Sequence, residues 1–211
     1  TVLRVLVFPS KGNICGEACG MAWMNEDLER WFGGLGESML QRVGLKEGQT
    51  VLDFGCGTGD FSIAAAQVVG PRGRVYALDM DEGELDRTME LTRERRLDQV
   101  ERMDSDGAPP IHLPDGFVDV VIVYDILHYF YFPEVEQRGP LIEEFWRIVK
   151  NGGMLSLYPK HLHSHTRPTY SQVISELELQ GFRVRDKVRV TLPHESVLEE
   201  GQVINFGKGS E

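Results

Sequence analysis

The sequence has few of the features that mark secreted, membrane-spanning or nucleic-acid-binding chains. Its 211 residues include three cysteines, Cys15, Cys19 and Cys56, and so small and odd a number argues against a disulfide framework. No apolar run approaches the roughly 20 residues of a transmembrane helix. Basic residues are the minority, 22 against 33 acidic ones, and the net charge is −11. A broad nucleic-acid-binding surface is therefore not expected.

These absences favour a soluble protein that acts on small molecules. Hydrophobic residues make up 41% of the chain, which is enough for one substantial core. The sparse cysteines fit a reducing compartment, so we expect a cytoplasmic location. No membrane span and no nucleic-acid partner are expected, and a homodimer is compatible with the sequence.

Short valine-rich runs alternate with stretches of helical periodicity, which predicts an α/β fold with a parallel sheet and helices on both faces. Helices are predicted at residues 58–69, 82–96, 140–150 and 169–180. Strands are predicted at residues 50–54, 74–78, 100–103, 118–124, 154–158, 182–191 and 202–206. Because only residues 192–201 separate the last two strands, we predict that these two form an antiparallel edge pair.

Two regions are predicted along the chain. Residues 1–44 form an N-terminal extension with a lid-like helical segment, and residues 45–211 form a Rossmann-like domain. Residues 25–43 have a helical pattern that is interrupted by Gly33, Gly34 and Gly36. This segment could pack as an ordinary helix or cover a site.

A glycine-rich turn follows the first predicted strand and precedes a helix. Its glycines, Gly55, Gly57 and Gly59, tolerate positive φ and leave room for a ligand to touch the main chain. The amino end of the next helix adds free N–H groups. A tight strand-to-helix turn without a ligand is the alternative.

Acidic residues end the next two predicted strands. Asp79 lies about 20 residues beyond the glycines, where a carboxylate can bind ribose hydroxyls; alternatively, Asp79 or Asp81 caps the following helix. After the third strand, Asp104 or Asp106 could meet an adenine amino group. The glycine turn, followed by acidic residues at the ends of the next two strands, predicts an adenosine-containing ligand at the carboxyl ends of the strands.

Four segments together resemble the successive motifs of class I S-adenosylmethionine-dependent methyltransferases. They are VLDFGCGTG at residues 51–59, VYALDMDEG at 75–83, DSDGAPPIHLPDGFVDVVIVYDILHYF at 104–130 and RIVKNGGMLSLYP at 147–159. The similarity is greatest to the type 11 group, which includes ubiquinone and menaquinone biosynthesis methyltransferases, and it covers residues 45–207. The G-x-G-x-G spacing favours this cofactor over a dinucleotide.

The resemblance implies a doubly wound, seven-stranded sheet in which the last two strands are antiparallel. It implies an enzyme that uses S-adenosylmethionine and releases S-adenosylhomocysteine. Asp53, Gly55 and Gly57 would hold the methionine end, and Cys56 would pack beneath the cofactor. The other implied cofactor contacts are Asp79 at the ribose, Met80 beside the adenine, Asp106 and Gly107 at the adenine edge, and the main chain of Tyr124 near the sulfonium.

The predicted function is methyl transfer to a small molecule. Ile126, Phe130 and neighbouring aromatic residues are compatible with an apolar acceptor such as a quinone. His128 is a candidate base and Tyr129 could orient the acceptor, although His128 could simply pack. A catalytically silent cofactor-binding scaffold is the alternative, and methylation of protein, RNA or a metalloid is less favoured.

Two further patterns bear on metals. His161, His163 and His165 alternate after the fifth predicted strand, and imidazole suits zinc and similar ions. The run contains no carboxylate or cysteine, so no metal ligands are assigned. A loop lining the acceptor pocket is preferred, and an inert loop is the alternative. Cys15 and Cys19 could hold a soft metal or metalloid, but the glycines beside them disfavour a regular helix.

Overall fold

A computed structural model describes residues 25–209; Cys15 and Cys19, with any site that they form, lie outside these residues. The described helices are α1 (Glu26–Arg30), α2 (Gly36–Val43), α3 (Asp60–Val69), α4 (Glu82–Glu94), α5 (Val135–Ile148) and α6 (Tyr170–Gln180). The strands are β1 (Thr50–Phe54), β2 (Arg74–Asp79), β3 (Val100–Asp104), β4 (Val118–Tyr124), β5 (Val149–Tyr158), β6 (Arg183–His194) and β7 (Val197–Gly207).

All seven strands form one sheet in the order β3-β2-β1-β4-β5-β7-β6. The first five strands are parallel to one another, while β7 is antiparallel to both β5 and β6. This confirms the predicted Rossmann-like sheet with an antiparallel pair at one edge. The chain order reverses between β1 and β4, and ligands bind at the carboxyl ends of strands beside such a reversal.

The sheet separates two hydrophobic cores. One contains Trp31, Ile63 and Leu85 from the helices that cover the first face. The other contains Phe145, Phe182 and Phe206 on the second face. The central strand β4 contributes to both, which explains why its sequence is a continuous apolar run rather than an alternating one.

The described part of the N-terminal region packs into the first core. Trp31 is fully buried, and its indole N–H donates to the carbonyl of Asp60 at 2.8 Å. The helical path continues through a π-helical turn, Trp31–Leu35, where Gly34 has φ +121°. Residues 26–43 thus pack against the core through two α-helices and a π-helical turn. The lid-like role and the boundary at residue 44 stay predictions.

Helix α5 begins earlier than the sequence pattern predicts. The prediction places its first residue at Pro140, and proline is common in the first turn of a helix. In the structure the helix begins at Val135, after a capping box between Glu134 and Gln137. Pro140 therefore lies inside the helix, where it lacks the N–H that would bond to the preceding turn.

The end of α5 also differs from the prediction. The helix stops at Ile148, and residues 149–153 already belong to β5. Asn151, Gly152 and Gly153 form an irregularity in the β4–β5 pairing rather than a helix cap. Gly152 has φ +78° there and its N–H donates to the carbonyl of Lys208 at 2.8 Å.

Strands β6 and β7 form a longer hairpin than predicted. The prediction leaves residues 192–201 as a connection, but the strands continue to His194 and resume at Val197. The two turn residues, Glu195 and Ser196, have φ +49° and +66°. Such a turn normally carries Asn or Gly, so the sequence pattern does not reveal it.

The basic residues of the edge strand β6 are exposed: Arg183, Arg185, Lys187 and Arg189. Within residues 25–209, every helix is too short or too polar to span a bilayer.

Candidate functional site

The glycine turn after β1 is built from three residues with left-handed backbone. Gly55, Gly57 and Gly59 have φ of +76°, +51° and +85°. A Cβ on Gly55 would lie 2.3 Å from Ile126, and one on Gly59 would lie 2.7 Å from Thr88, so these two glycines allow close packing. A Cβ on Gly57 would meet no atom within 4 Å. Gly57 is thus the glycine of this turn that faces open space.

Asp79, at the end of β2, holds the turn in place. Its Oδ2 accepts from the N–H of Gly57 at 2.8 Å, and its Oδ1 accepts from the N–H of Asp81 at 3.0 Å. Asp81, not Asp79, is the N-cap of α4, because its carboxylate accepts from Gly83 and Glu84. The helix-capping alternative for Asp79 is therefore wrong.

Two carboxylates, one buried and one half-buried, lie close to the turn. Asp53 is 3% exposed and accepts from the hydroxyl of Ser62 at 2.6 Å. Burial raises its pKa to about 7, with repulsion from Asp79 and Asp60 adding to the shift. Burial also raises the pKa of Asp60 to about 6, and its Oδ1 is buried without a hydrogen-bond partner in the described structure. Asp53, Asp60 and Asp79 make this region attractive to a cation.

Two other predicted contacts are buried beside the turn. Cys56 is a free thiol that is 7% exposed, and burial raises the pKa of that thiol. It is therefore a neutral packing group. Tyr124 ends β4, and its hydroxyl is hydrogen-bonded to Ser156 at 2.9 Å. Its ring packs edge-on against Phe61 at 4.8 Å, so the side chain of Tyr124 is committed to the core.

The two candidate acids after β3 have different environments. The carboxylate of Asp104 is paired with Arg102, with a shortest distance of 2.7 Å, and this contact lowers the pKa of Asp104. Asp106 accepts only from its own loop, at the N–H of Ala108. Gly107 lies against Met80, whose sulfur would be 3.4 Å from an added Cβ. Asp106, Gly107 and Met80 thus share one corner of the site.

At the end of β4, a carboxylate gathers three histidines from separate parts of the chain. Oδ1 of Asp125 is 2.6 Å from Nδ1 of His161 and 3.6 Å from Nε2 of His128. Its Oδ2 is 3.2 Å from Nε2 of His194. Asp125 also has φ +56°, a conformation that is strained for most residues and that recurs at functional sites.

The predicted base, His128, is held on both ring nitrogens. Nε2 is 2.9 Å from the carbonyl of Asp125, so Nε2 carries the proton, and Nδ1 accepts from the N–H of Phe130 at 3.3 Å. Burial lowers the pKa of His128, which keeps the ring neutral. Tyr129, in contrast, is 49% exposed and begins an exposed aromatic run with Phe130 and Tyr131.

The alternating histidines separate in space. His161 joins Asp125, while His163 and His165 stack on each other with ring centroids 5.3 Å apart. The sequence pattern did not predict that Asp125 and His194 belong to this cluster. Asp125 contacts His161, 36 positions away, and His194, 69 positions away. A position directly after a buried strand was the only available signal for Asp125.

Comparison with known proteins agrees with this architecture. Residues 51–153 match a family described as a methyltransferase domain. A demethylmenaquinone methyltransferase from Geobacillus sp. is 33% identical over 117 residues, which cover 56% of this chain and 47% of that protein. The chain thus spans about half the length of the curated relatives it matches.

Solved structures show the same fold. A SAM-dependent methyltransferase from Aquifex aeolicus superposes with a TM-score of 0.65 at 27% identity, covering 86% of this chain and 93% of that one. The cyclase SpnF superposes with a TM-score of 0.64 at 17% identity, covering 84% of this chain and 81% of that one. Because this likeness includes a cyclase, the fold alone does not specify the reaction.

The sheet order, the glycine turn and the matched residues 51–153 are those of a class I methyltransferase domain of Rossmann-like fold. The chain is similar to S-adenosylmethionine-dependent methyltransferases, and the curated relatives that it matches include demethylmenaquinone methyltransferases. The cofactor of this family of transferases is S-adenosylmethionine.

The residues present fit that cofactor. An added Cβ at Gly57 would extend into open space, as a main-chain contact with a ligand requires. Asp60, whose Oδ1 has no hydrogen-bond partner among the described residues, supplies negative charge above its pKa of about 6, and a cationic ligand would favour the ionised form of the buried Asp53. S-adenosylmethionine carries a sulfonium and an ammonium, so an acid-lined turn suits it better than a pyrophosphate-bearing dinucleotide.

Proposed function

We propose that this protein transfers a methyl group from S-adenosylmethionine to a small, apolar, ring-bearing acceptor. The observation that carries the proposal is that a Cβ on Gly57 would extend into open space. The N–H of Gly57 donates to Asp79 at 2.8 Å, which holds the turn beside the end of β2. The matched methyltransferase domain and the names of the relatives support the same reaction.

In this proposal each part of the cofactor is bound by a different set of residues. Asp53 and the Gly55–Gly57 backbone hold the methionine end, with Cys56 packed beneath. Asp79 takes the ribose hydroxyls, Met80 flanks the adenine, and Asp106 with Gly107 binds its edge. Asp106 is preferred over Asp104 because Arg102 already occupies the Asp104 carboxylate. The main chain of Tyr124 lies beside the sulfonium.

The cofactor supplies a methyl group that its sulfonium already activates. What remains for the protein is to align the acceptor, at about 3–3.5 Å between reacting atoms, and to receive a proton where the acceptor is acidic. Tyr129 is exposed and is proposed to orient the acceptor. His128 can serve as base only if its Nδ1 is released from the N–H of Phe130.

The exposed aromatic run supports an apolar ring as acceptor. Tyr129, Phe130 and Tyr131 are 49%, 54% and 41% exposed beside the Asp125 cluster. Aromatic faces bind ring systems by offset or edge contacts. A demethylated naphthoquinone is therefore the first acceptor to assay, and the names of the relatives agree with this choice.

Calorimetric titration with S-adenosylmethionine and S-adenosylhomocysteine tests the cofactor site. We expect wild type to bind both and Asp79→Ala to bind each at least about tenfold more weakly, a loss of about 1.4 kcal/mol. Asp81→Ala is the matched control: it removes the cap of α4 and about 1 kcal/mol of stability, but it leaves cofactor affinity unchanged. Equal affinity of both variants for the cofactor would contradict the assignment of Asp79.

A methyl-transfer assay then separates an enzyme from a silent scaffold. Radiolabelled S-adenosylmethionine is incubated with the protein and a short-chain demethylnaphthoquinone, and product is counted after extraction. Transfer that depends on Asp79 supports the proposal. Tight cofactor binding without transfer to this acceptor, or to any compound in a metabolite extract, would favour the scaffold.

A further inference from the structure

Four residues from three separate segments meet at the carboxyl end of the sheet. Asp125 follows β4, His128 lies in the next turn, His161 follows β5, and His194 ends β6. The ligand-type atoms of Asp125, His128 and His161 all lie within 4.8 Å of one another. The rings of His161 and His194 are 5.1 Å apart. No role in binding S-adenosylmethionine accounts for this arrangement.

We propose that Asp125, His128 and His161 form a binding site for one divalent first-row transition-metal ion. Two imidazoles and one carboxylate are the ligand set that zinc, iron(II) and related ions use when they keep open positions. Three protein ligands leave at least one position for water or for an oxygen of a substrate.

The distances suit such an ion after small side-chain rotations. Metal–ligand distances of about 2.0–2.2 Å place two ligands of one ion about 3–3.5 Å apart. Oδ1 of Asp125 is 2.6 Å from His161 and 3.6 Å from His128. The ion replaces the proton that His161 shares with Asp125, and that proton is released to solvent. The proton of His128 moves from Nε2 to Nδ1, which gives up the N–H of Phe130, so that Nε2 can turn from the Asp125 carbonyl towards the ion.

His194 completes the arrangement from the other side of the carboxylate. Its Nε2 lies 3.2 Å from Oδ2 of Asp125, so it orients the carboxylate and leaves Oδ1 for the ion. Carboxylate ligands are commonly held in this way by a hydrogen bond on their second oxygen. The left-handed φ of +56° at Asp125 directs the residue towards the cluster at a local conformational cost.

The position of the site suggests what the ion does. Its ligands adjoin the exposed aromatic run and the end of β4, where the acceptor and the sulfonium are placed under the proposed function. On that basis, which rests on the proposed function, the ion binds an acceptor hydroxyl and lowers its pKa, as metal ions do for bound water.

Metal binding is tested on the full chain without any acceptor. A Cys15→Ser/Cys19→Ser background removes the other candidate ligands, and the chelator-treated protein is titrated with Co²⁺ and Zn²⁺ by calorimetry and visible absorption. We expect one ion per chain and Co²⁺ bands in the visible range. Asp125→Asn and His161→Asn should abolish measurable binding, and Asn suits the left-handed backbone at position 125.

Two controls make the result specific. His163→Ala/His165→Ala removes two exposed histidines of the same loop and should bind the ions like the background protein. His194→Gln should weaken binding by about 10- to 100-fold, as loss of an orienting partner does. The proposal is overturned if the background protein binds neither ion, or if affinity depends on His163 and His165 rather than on Asp125 and His161. Cofactor titration of the same variants shows separately whether the methyltransferase site is intact.

Discussion

Replacing Gly57 by alanine tests where the cofactor meets the main chain. Gly57 has φ +51°, and a Cβ there would meet no protein atom within 4 Å. The substitution therefore adds a methyl group to the space that the cofactor is proposed to fill, without forcing any neighbour to move. Gly116 offers a matched control, because it has φ +57° and an equally open Cβ position. It precedes β4, at the amino end of the sheet.

The two substitutions should cost the same stability. An alanine in left-handed backbone costs about 1–2 kcal/mol relative to glycine. For a chain of this size each kcal/mol lowers the melting temperature by about 2–4 °C, so both variants should melt roughly 2–8 °C below wild type. Only Gly57→Ala should also lose cofactor affinity, by at least about tenfold, or 1.4 kcal/mol.

The assay combines thermal unfolding with calorimetric titration of S-adenosylhomocysteine. Similar melting temperatures together with weakened binding in Gly57→Ala alone would support main-chain contact at this residue. Wild-type affinity in a folded Gly57→Ala protein would refute the reasoning, because no ligand in contact with that backbone could ignore an added methyl group. Equal loss of affinity in Gly116→Ala would attribute the effect to general destabilisation instead.

Two further predictions concern buried charges. The pKa of Asp53 is raised to about 7 from 3.8, so the folded chain binds this proton more tightly than the unfolded chain. The contribution of Asp53 to the free energy of unfolding therefore falls as the pH rises from about 4 to 7. In urea unfolding of Asp53→Asn, the fall in that free energy over this pH range should be smaller than in wild type by up to about 4 kcal/mol; an unchanged pH profile would contradict the shift. Arg138, whose side chain is 4% exposed, pairs with Glu176 at 2.6 Å. Glu176→Ala should therefore cost about 3–5 kcal/mol, against less than about 0.5 kcal/mol for the exposed Glu178→Ala; similar denaturation midpoints would show that the pair is not needed.

The ion pair of Arg138 illustrates how the fold supports the site. Its Nη1 donates to the carbonyls of Phe132 and Pro133 at 2.7 and 2.8 Å. These carbonyls end the aromatic segment that begins at Tyr129. The position of this aromatic segment, where the acceptor is proposed to bind, therefore depends on the packing of α5 against α6. The sequence predicts both helices but does not predict how they pack against each other.

Predictions from the sequence were most accurate where local chemistry decides the structure. The glycines after β1, the continuous apolar run of β4 and the polar ends of the strands each follow from one segment of chain. Predictions failed at the start of α5 and at the β6–β7 turn, where tertiary packing and pairing override residue preference. Pro140 is tolerated inside α5, and Glu195 and Ser196 adopt positive φ because the two long strands pair around them.

By itself the sequence determined the strand and helix alternation, the left-handed turn at residues 55–59 and the acidic ends of β2 and β3, because period, glycine and charge act over a few residues. Only the tertiary structure decided which polar groups meet. In the folded chain Asp79 accepts from the N–H of Gly57, Asp104 pairs with Arg102, and Asp125 lies beside His128, His161 and His194. Parallel strands bring their carboxyl ends to one edge of the sheet, so residues that lie tens of positions apart become neighbours there.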